Sequence, residues 1–154
     1  MSQPRSEWLA EMADNIEKGV EMSAEKVIRS FFMADWTAGG IRATFEEYFA
    51  EEVVWRNTGF PDAVGKNAAL ETLDVFMAAM GAGNIEIEIG NVAANGEVVF
   101  TERIDRVYDA DGRQLCAPEV LGLLKVSGGQ IVYWHDAQDP RPYIETGLGH
   151  VILG

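Results

Sequence analysis

The stretch that decides the fold runs from residue 98 to residue 108 and reads Val98-Val99-Phe100-Thr101-Glu102-Arg103-Ile104-Asp105-Arg106-Val107-Tyr108. It is rich in aromatic and β-branched residues and has no proline or glycine, which predicts a β-strand. Alternate side chains of a strand share a face, so Val99, Thr101, Arg103, Asp105 and Val107 lie together. Polar groups framed by valines are typical of a pocket wall. An exposed ion pair of little energetic value is the alternative that spacing alone leaves open.

Helical periodicity precedes this strand. Residues 1–22 form an N-terminal extension in which we expect a helix from Ser6 to Lys18, with a frayed tail as the alternative. The predicted stripe of that helix is Trp8, Leu9, Met12 and Ile16, and Gly19 ends it. Ser23 is expected to cap a second helix. A short third helix precedes the first strand, and Lys66–Met80 is predicted as a fourth. The buried face expected for the second helix is Val27, Ile28, Phe31 and Phe32, and that of the third is Phe45, Tyr48 and Phe49. The buried face expected for the fourth helix is Leu70, Leu73, Phe76, Met77 and Met80.

Strand periodicity dominates the second half of the chain. The predicted strands are Glu52–Asn57, a run from Asn84, residues 98–108, Leu115–Val126 and Gln130–Asp136. Pro118 marks an edge or a bulge, and Thr58–Gly65 is predicted as a loop. Helices followed by a meander predict one α+β domain over residues 1–154, with the helices on one face of a curved, mostly antiparallel sheet. We expect the tail from Asp139, with Tyr143 and Leu148, to pack across the open end.

Composition excludes several function classes. The 154 residues carry a formal net charge of −13, which argues against binding to nucleic acid or to an anionic membrane surface. Cys116 is the single cysteine, so no intrachain disulfide or cysteine-based metal site is expected, and a reducing cytoplasm fits. We see no apolar segment typical of a signal peptide or a membrane span.

On three of the predicted strands, a row of apolar side chains on one face ends in a polar side chain. Val132, Trp134 and Asp136 alternate on the last strand, and Val53, Trp55 and Asn57 on the first. If the strands pair in sequence, Asp136 meets Arg103, whose planar fork of donors can bridge two carboxylates. Two carboxylates in a poorly solvated cleft hold one proton, so that one is an acid and the other a base. A turn role is the alternative for Asn57 and Asp136.

The two histidines fall outside this arrangement. His135 is predicted on the face opposite Asp136, with Ile131 and Tyr133, and His150 lies in the tail. Neither has a metal-ligand partner at a recognisable spacing, so both are interpreted as structural or exposed, and no metal or cofactor is expected.

Several motifs together resemble the limonene-1,2-epoxide hydrolase (LEH) family, within the fold shared by nuclear transport factor 2 (NTF2) and ketosteroid isomerase. They lie between Ser23 and Tyr143 and are Phe49-Ala50-Glu51-Glu52, Asn57, Phe100 to Asp105, Leu121-Gly122 and Trp134-His135-Asp136. The resemblance implies an NTF2-like, cystatin-like cone around a deep apolar pocket, a homodimer, and one-step hydrolysis of a small apolar epoxide without a cofactor.

The resemblance also implies roles for individual residues. Asp136 would be the general base that deprotonates water, Asp105 the general acid that protonates the epoxide oxygen, Arg103 the bridge, and Asn57 a holder of the water. No covalent ester forms. The pocket residues that we expect are Val53, Trp55, Val107, Val120 and Trp134.

This sequence departs from the family pattern at Trp55, where relatives have a tyrosine whose hydroxyl also holds the water. An indole has one N–H donor and no acceptor. Pro118 and Gln138 stand where relatives tend to be aliphatic or aromatic, which bears on the substrate. A ketosteroid-isomerase-like isomerase or cyclase and a non-catalytic binding protein are the two alternative functions. The paired carboxylates favour hydrolysis, because an isomerase needs a single base with an oxyanion donor.

Overall fold

The structure, a computed structural model, describes residues 5–17 and 22–148. Its helices are α1 (Arg5–Glu17), α2 (Ala24–Met33), α3 (Ile41–Tyr48), α4 (Lys66–Met80) and α5 (Arg141–Tyr143), the last continuing as a π-helical segment over Ile144–Leu148. Among the described residues, no helix combines the length and the apolarity needed to cross a membrane.

The strands are β1 (Phe49–Asn57), β2 (Ala63–Val64), β3 (Asn84–Asn95), β4 (Val98–Tyr108), β5 (Gln114–Cys116), β6 (Glu119–Ser127) and β7 (Gln130–Gln138). They form one curved sheet in the order β2-β1-β7-β6-β4-β3, with β5 paired to β4 beside this path. All pairs are antiparallel except β1 and β7, which run parallel. The predicted α+β fold with a mostly antiparallel curved sheet is confirmed.

The parallel pair joins the first long strand to the last one. In its register, Trp55 lies beside Trp134, and Asn57 lies beside Asp136. Neighbouring positions of paired strands point to the same face, so these four side chains all face the interior. This arrangement brings the polar ends of two strands to one place, as the sequence predicts.

Helices α2, α3 and α4 pack against the inner face of the sheet. Ser23 caps α2 by accepting a hydrogen bond from the Lys26 backbone N–H at 3.3 Å, as expected for an N-cap serine. The predicted buried face of α2 is confirmed, since its four apolar residues are at most 4% exposed. Gly81 ends α4 with a φ of 70°, a left-handed conformation that favours glycine. The start of α2 and the end of α4 therefore lie where Ser23 and Gly81 predict them.

An aromatic core fills the closed end between the helices and the sheet. The Phe31 ring lies 5.2 Å from the rings of Trp36 and Phe45 and 5.3 Å from the Trp134 ring. These rings meet at tilted or edge-to-face angles, the geometry that their quadrupoles prefer. A second apolar cluster at the open end contains Phe60, Val107 and Leu148. The tail thus packs across the open end, as expected, through the described residue Leu148.

The N-terminal helix differs from its prediction. Helix α1 begins at Arg5, so Ser6 lies inside its first turn and is not its cap. Leu9 is 44% exposed, because no described element covers that side of the helix. The predicted end at Lys18 and Gly19 and the side chains of Trp8 and Ile16 lie outside the described residues.

Three element boundaries also differ. Phe49 is the first residue of β1 and not the last of a helix, because its backbone is already extended where α3 ends. The predicted loop after β1 contains β2, a two-residue strand paired to Val54 and Trp55. Pro118 interrupts the predicted Leu115–Val126 strand, so that it becomes β5 and β6, because proline has no N–H for a strand ladder.

A bulge changes the face pattern of β7. Ile131 pairs with Val126 and Tyr133 with Lys125, so Val132 is skipped in the register. As a result Ile131, and not Val132, joins Trp134 and Asp136 in the interior, where it is 0% exposed. The prediction for Val132 and Ile131 is therefore wrong, because a bulge adds one residue and reverses the alternation upstream of it.

Candidate active site

Arg103 is the centre of a buried charge cluster on the inner face of β4. Its side chain is 0% exposed. Nε and Nη2 donate to the two carboxylate oxygens of Asp105 at 3.1 and 3.0 Å. Nη1 and Nη2 donate to those of Asp136 at 3.1 and 2.8 Å, and Nη1 also donates to Thr101 Oγ1 at 3.0 Å. Because a guanidinium has five N–H groups, every donor of Arg103 is used.

Strand geometry explains why these groups meet. Thr101, Arg103 and Asp105 alternate on β4, so they share its buried face, as the sequence predicts. Asp136 comes from β7, two strands away, and reaches Arg103 across β6. The alternative of a weak surface ion pair is wrong for Arg103 and Asp105, because both residues are buried.

Gly122 of β6 provides the space that this reach requires. It lies between Thr101 and Asp136 in the register of the sheet. A β-carbon at residue 122 would lie 2.5 Å from Arg103 Nη1, 2.7 Å from Thr101 Oγ1 and 2.8 Å from Asp136 Oδ1. Such contacts are closer than van der Waals packing allows, so only glycine leaves the cluster intact.

Aromatic groups surround the cluster. The guanidinium carbon of Arg103 lies 4.4 Å from the centre of the Phe32 ring, a cation–π contact. The indole N–H of Trp134 donates to Asp136 Oδ1 at 2.6 Å. Asp136 therefore accepts hydrogen bonds from both Arg103 and Trp134, which fix the position of its carboxylate.

The environment shifts the pKa of Asp136 upward. Burial is the largest cause, because it disfavours the charged form, and the negative charge of Asp105 adds to it. Arg103 and the Trp134 N–H act in the opposite direction but do not cancel the rise. For Arg103, burial lowers the pKa, but the charges of Asp136 and Asp105 outweigh burial and raise it, so that it stays cationic.

A cavity opens beside the two carboxylates. It encloses about 560 Å³ of space not filled by atoms, part of which is open to solvent. Its lining is mostly aromatic and aliphatic, with few polar groups, as in a site for a small apolar ligand. The polar side chains of the lining are those of Asn57, Asp105, Asp136, Gln138 and Tyr143. Arg103 lies behind the carboxylates and does not line the cavity.

The predicted pocket residues divide into two groups. Trp55, Val107 and Trp134 line the cavity as expected. Val53 and Val120 are not among its lining residues. Val53 is packed in the aromatic core of the closed end. Val120 is 1% exposed and pairs with Arg103 and Gln138 in the sheet.

Trp55 occupies the place where the family resemblance implies a tyrosine. Its indole stacks on that of Trp134, with ring centroids 5.3 Å apart and planes 18° apart. In the described part of the chain, its Nε1 is the one buried side-chain nitrogen or oxygen without a hydrogen-bond partner. The indole thus supports Trp134, whose own N–H holds Asp136.

Sequence reasoning missed several contributors to the cavity. Tyr143 and Gln138 line it beside Asn57, and Phe60, Phe76 and Met77 complete its apolar wall. The sequence does indicate a role for Gln138, since this residue departs from the family pattern and lies two residues after Asp136 on the same face of the strand. Tyr143 was expected only to pack across the open end, and no sequence spacing indicates that it lies near Asp105.

The described residues offer no place for a metal ion built on three or more histidine, cysteine or acidic side chains. His135 lies on the face opposite Asp136, with its ring 6.5 Å from that of Tyr133. His150 lies outside the described residues. Cys116 is a buried free thiol, and its burial together with the charge of Asp105 raises its pKa to about 11.

Comparison with known proteins places this architecture in a family. The SnoaL-like domain profile matches residues 28–134. A similar solved structure is that of an LEH-like epoxide hydrolase of M. tuberculosis, at 25% identity and a TM-score of 0.62, covering 84% of this chain and 89% of the other.

Two further structures share the fold at lower identity. One is a proposed SnoaL-like polyketide cyclase from Jannaschia, with 15% identity, a TM-score of 0.65, and coverage of 80% of this chain and 90% of the other. The other is a protein with a ketosteroid isomerase-like fold from Catenulispora acidiphila, in complex with trimethylamine. It has 16% identity, a TM-score of 0.63, and coverage of 79% and 91%. At these identities, the likeness concerns the fold alone.

Proposed function

This chain belongs to the SnoaL-like domain family, and we propose that it hydrolyses a small apolar epoxide to a vicinal diol without a cofactor. The observation that supports this proposal is the pairing of Asp105 and Asp136 on Arg103 at the edge of an apolar cavity. The likeness to the LEH-like epoxide hydrolase of M. tuberculosis is consistent with it.

The charge of the cluster favours a division of labour between the aspartates. Burial and the nearby charge of Asp105 both disfavour a second negative charge at Asp136, so in the proposed resting state the two carboxyl groups share one proton. In the proposed reaction Asp136 is the ionised base and Asp105 the protonated acid. Such a pair supplies proton removal and proton donation together, each typically worth about 10²–10⁴-fold in rate.

The reaction proceeds in one step. Asp136 removes a proton from a water molecule, which Asn57 helps to hold as the neighbour of Asp136 in the parallel strand pair. The water oxygen attacks an epoxide carbon while the bond from that carbon to the ring oxygen breaks. Asp105 gives its proton to the ring oxygen, and the product is a diol. Proton exchange with solvent then restores both aspartates.

The raised pKa of Asp136 suits the role of base. Burial and the charge of Asp105 make its carboxylate more basic than an ordinary aspartate. A general base works best when its pKa approaches the working pH while it remains ionised. The hydrogen bonds and positive charge of Arg103 act against this rise in the pKa, because they favour the ionised form that the proposed base requires.

The proposed partners are an epoxide, water and a second copy of the chain. We infer a small apolar substrate because most of the cavity wall is aromatic or aliphatic. For the homodimer, the outer face of the sheet offers Phe100 and Leu121, which are 48% and 62% exposed. The reducing cytoplasm stays a prediction that rests on the single cysteine.

Two other functions compete with hydrolysis. An isomerase or cyclase is favoured by the partly buried phenol of Tyr143, which lines the cavity with the two carboxylates, since such enzymes pair one base with an oxyanion donor. A binding protein without chemistry is favoured by the replacement of the water-holding tyrosine by Trp55, whose N–H has no partner.

Product analysis in ¹⁸O-water separates these functions. The purified chain is incubated with a panel of apolar epoxides, and Asp136→Asn serves as the control for background hydrolysis. We expect a diol labelled in one hydroxyl from the wild type only. A rearranged product identifies an isomerase, and a bound but unchanged epoxide identifies a binding protein.

A single turnover with enzyme in excess tests the one-step route. Direct attack of water places ¹⁸O in the diol during the first turnover. A covalent ester would instead transfer an unlabelled carboxylate oxygen to the first diol formed. Unlabelled diol in the first turnover would therefore contradict the proposed mechanism.

A further inference from the structure

Tyr143 is the cavity residue that the proposed mechanism does not use. It is the last residue of α5 and lines the cavity together with Asn57, Asp105 and Asp136. Its ring packs against Phe60, with centroids 6.2 Å apart and an edge-to-face angle of 79°. The C-terminal segment therefore brings a phenol to the same cavity surface as the two carboxylates.

Gln138 connects this phenol to the polar edge of the cavity. The Tyr143 hydroxyl donates to Gln138 Oε1 at 3.5 Å, and Gln138 Nε2 donates to Asn57 Oδ1 at 3.5 Å. A hydroxyl donor normally lies 2.5–3.0 Å from its acceptor, so the first contact is long and weak. A ligand oxygen at a normal distance can therefore replace Gln138 as the acceptor of the Tyr143 proton.

The ring of Tyr143 packs near the part of β4 that carries Asp105. It belongs to the apolar cluster of Val107 and Cys116, and Val107 is two residues from Asp105 on the same face of β4. Burial, followed by the negative charges of Asp105 and Asp136, raises its pKa well above the ordinary value for a tyrosine. The phenol therefore stays protonated and is a neutral donor, not a base.

We propose that the Tyr143 hydroxyl is a second hydrogen-bond donor to the substrate oxygen, beside Asp105. For an epoxide this inference rests on the proposed function. The ring oxygen receives the electron pair of the breaking carbon–oxygen bond and takes the proton of Asp105. Tyr143 donates a hydrogen bond to that oxygen and keeps its own proton. A preorganised donor aimed at developing charge stabilises the transition state more than the ground state.

The kinetic test uses Tyr143→Phe, which keeps the ring and its contact with Phe60. We expect kcat to fall by about 10²-fold with little change in KM, because the charge on the oxygen develops in the transition state. Tyr133→Phe is the matched control, because Tyr133 does not line the cavity and its hydroxyl accepts a hydrogen bond from Arg56. This substitution should leave turnover unaffected. Unchanged kcat in a folded Tyr143→Phe enzyme overturns the proposal.

A binding measurement tests the donor independently of epoxide chemistry. Cyclohexanone labelled with ¹³C at its carbonyl has an apolar ring and one acceptor oxygen, and its infrared carbonyl stretch falls in frequency when a donor binds that oxygen. We expect a lower frequency bound to the wild type than to Tyr143→Phe. Equal frequencies, or no binding to the wild type, overturn the proposal. If epoxides are not hydrolysed but the frequencies differ, the hydrolase proposal fails while the donor role of Tyr143 holds.

Discussion

At the scale of the residue, the site depends on how completely Arg103 is engaged. Each of its five N–H groups has an acceptor, and its face lies on Phe32. A lysine has a single ammonium group and could not bridge two carboxylates in this planar geometry. Arg103 therefore holds the carboxylates of Asp105 and Asp136, the proposed acid and base, at a fixed separation.

The two aspartates can be tested by isosteric substitution. Asp105→Asn and Asp136→Asn should each reduce kcat/KM by about 10²-fold or more, because an amide cannot take up or give up the proton. One carboxylate remains beside Arg103 in either variant, so we expect a folded protein. The measurements are steady-state hydrolysis and thermal unfolding. Turnover near the wild-type level in either folded variant would mean that its carboxyl group is not an acid or base of the reaction.

The pH dependence of kcat/KM provides a second test. The base must be ionised, and the pKa of Asp136 is raised above 3.8, so activity should fall on acidification at a higher pH than an ordinary aspartate implies. Circular dichroism over the same range controls for unfolding. Protonation of Asp136 itself favours the folded state, since its pKa is higher there than in the unfolded chain. An acidic limb at or below pH 3.8 would contradict this assignment.

The residues of the site differ in how well sequence predicts them. Arg103, Asp105 and Asp136 follow from alternation on two strands, because the side-chain period of a strand is two. Val132 and Ile131 do not, because a bulge reverses the alternation and leaves no clear sequence signal. Tyr143 is brought to the cavity by tertiary packing of the tail, which no local pattern encodes.

At the scale of the element, β6 lies between β4 and β7, the two strands that carry the proposed acid and base. Its register places Gly122 between Thr101 of β4 and Asp136 of β7. Leu121-Gly122 is part of the family resemblance, but the sequence does not show why residue 122 is a glycine. The reason is steric and involves three strands, because side chains from β4 and β7 fill the space beside Gly122 of β6. Element boundaries are predictable where a capping residue is strong, as at the start of α2 and the end of α4. They are less predictable where an extended backbone follows a helix directly, as at Phe49.

Gly122→Ala tests this explanation. The added methyl group would collide with Arg103, Thr101 and Asp136, so the cluster must separate. We expect a loss of stability of about 1–3 kcal/mol, as is typical of overpacking, and a loss of activity larger than the change in folded fraction explains. Gly39→Ala is the matched control, because nothing lies within 4 Å of a β-carbon at that position. A fully active Gly122→Ala protein would contradict the need for glycine.

At the scale of the whole molecule, the outer face of the sheet is available for assembly. Phe100 and Leu121 are large apolar residues exposed on β4 and β6, on the face opposite the cavity. Large apolar side chains exposed on one face of a sheet make that face a candidate for a protein–protein contact. The proposed homodimer would bury this face and leave the cavity of each copy accessible.

Sedimentation tests the dimer. At micromolar concentration we expect the wild type at twice 16.9 kDa, and Leu121→Lys at 16.9 kDa, because a buried lysine without a partner disfavours the interface. Val75→Lys is the control, since Val75 is 43% exposed on α4, which packs against the inner face of the sheet. A wild type that sediments only as a 16.9 kDa species would rule out the dimer.

The parallel pairing of β1 with β7 has a consequence for how the chain acquires activity during synthesis. Asn57 and Gln138, which are hydrogen-bonded, are separated by 81 residues in the sequence. Arg103 and Asp136 are separated by 33 residues. Contacts of such sequence separation form slowly, because a long loop must close before they contribute. Asp136 can reach Arg103 only after β7 has left the ribosome and has inserted between β1 and β6. The proposed acid, base and water holder can therefore meet only in a chain that contains β7, and a nascent or truncated chain without this strand lacks the site.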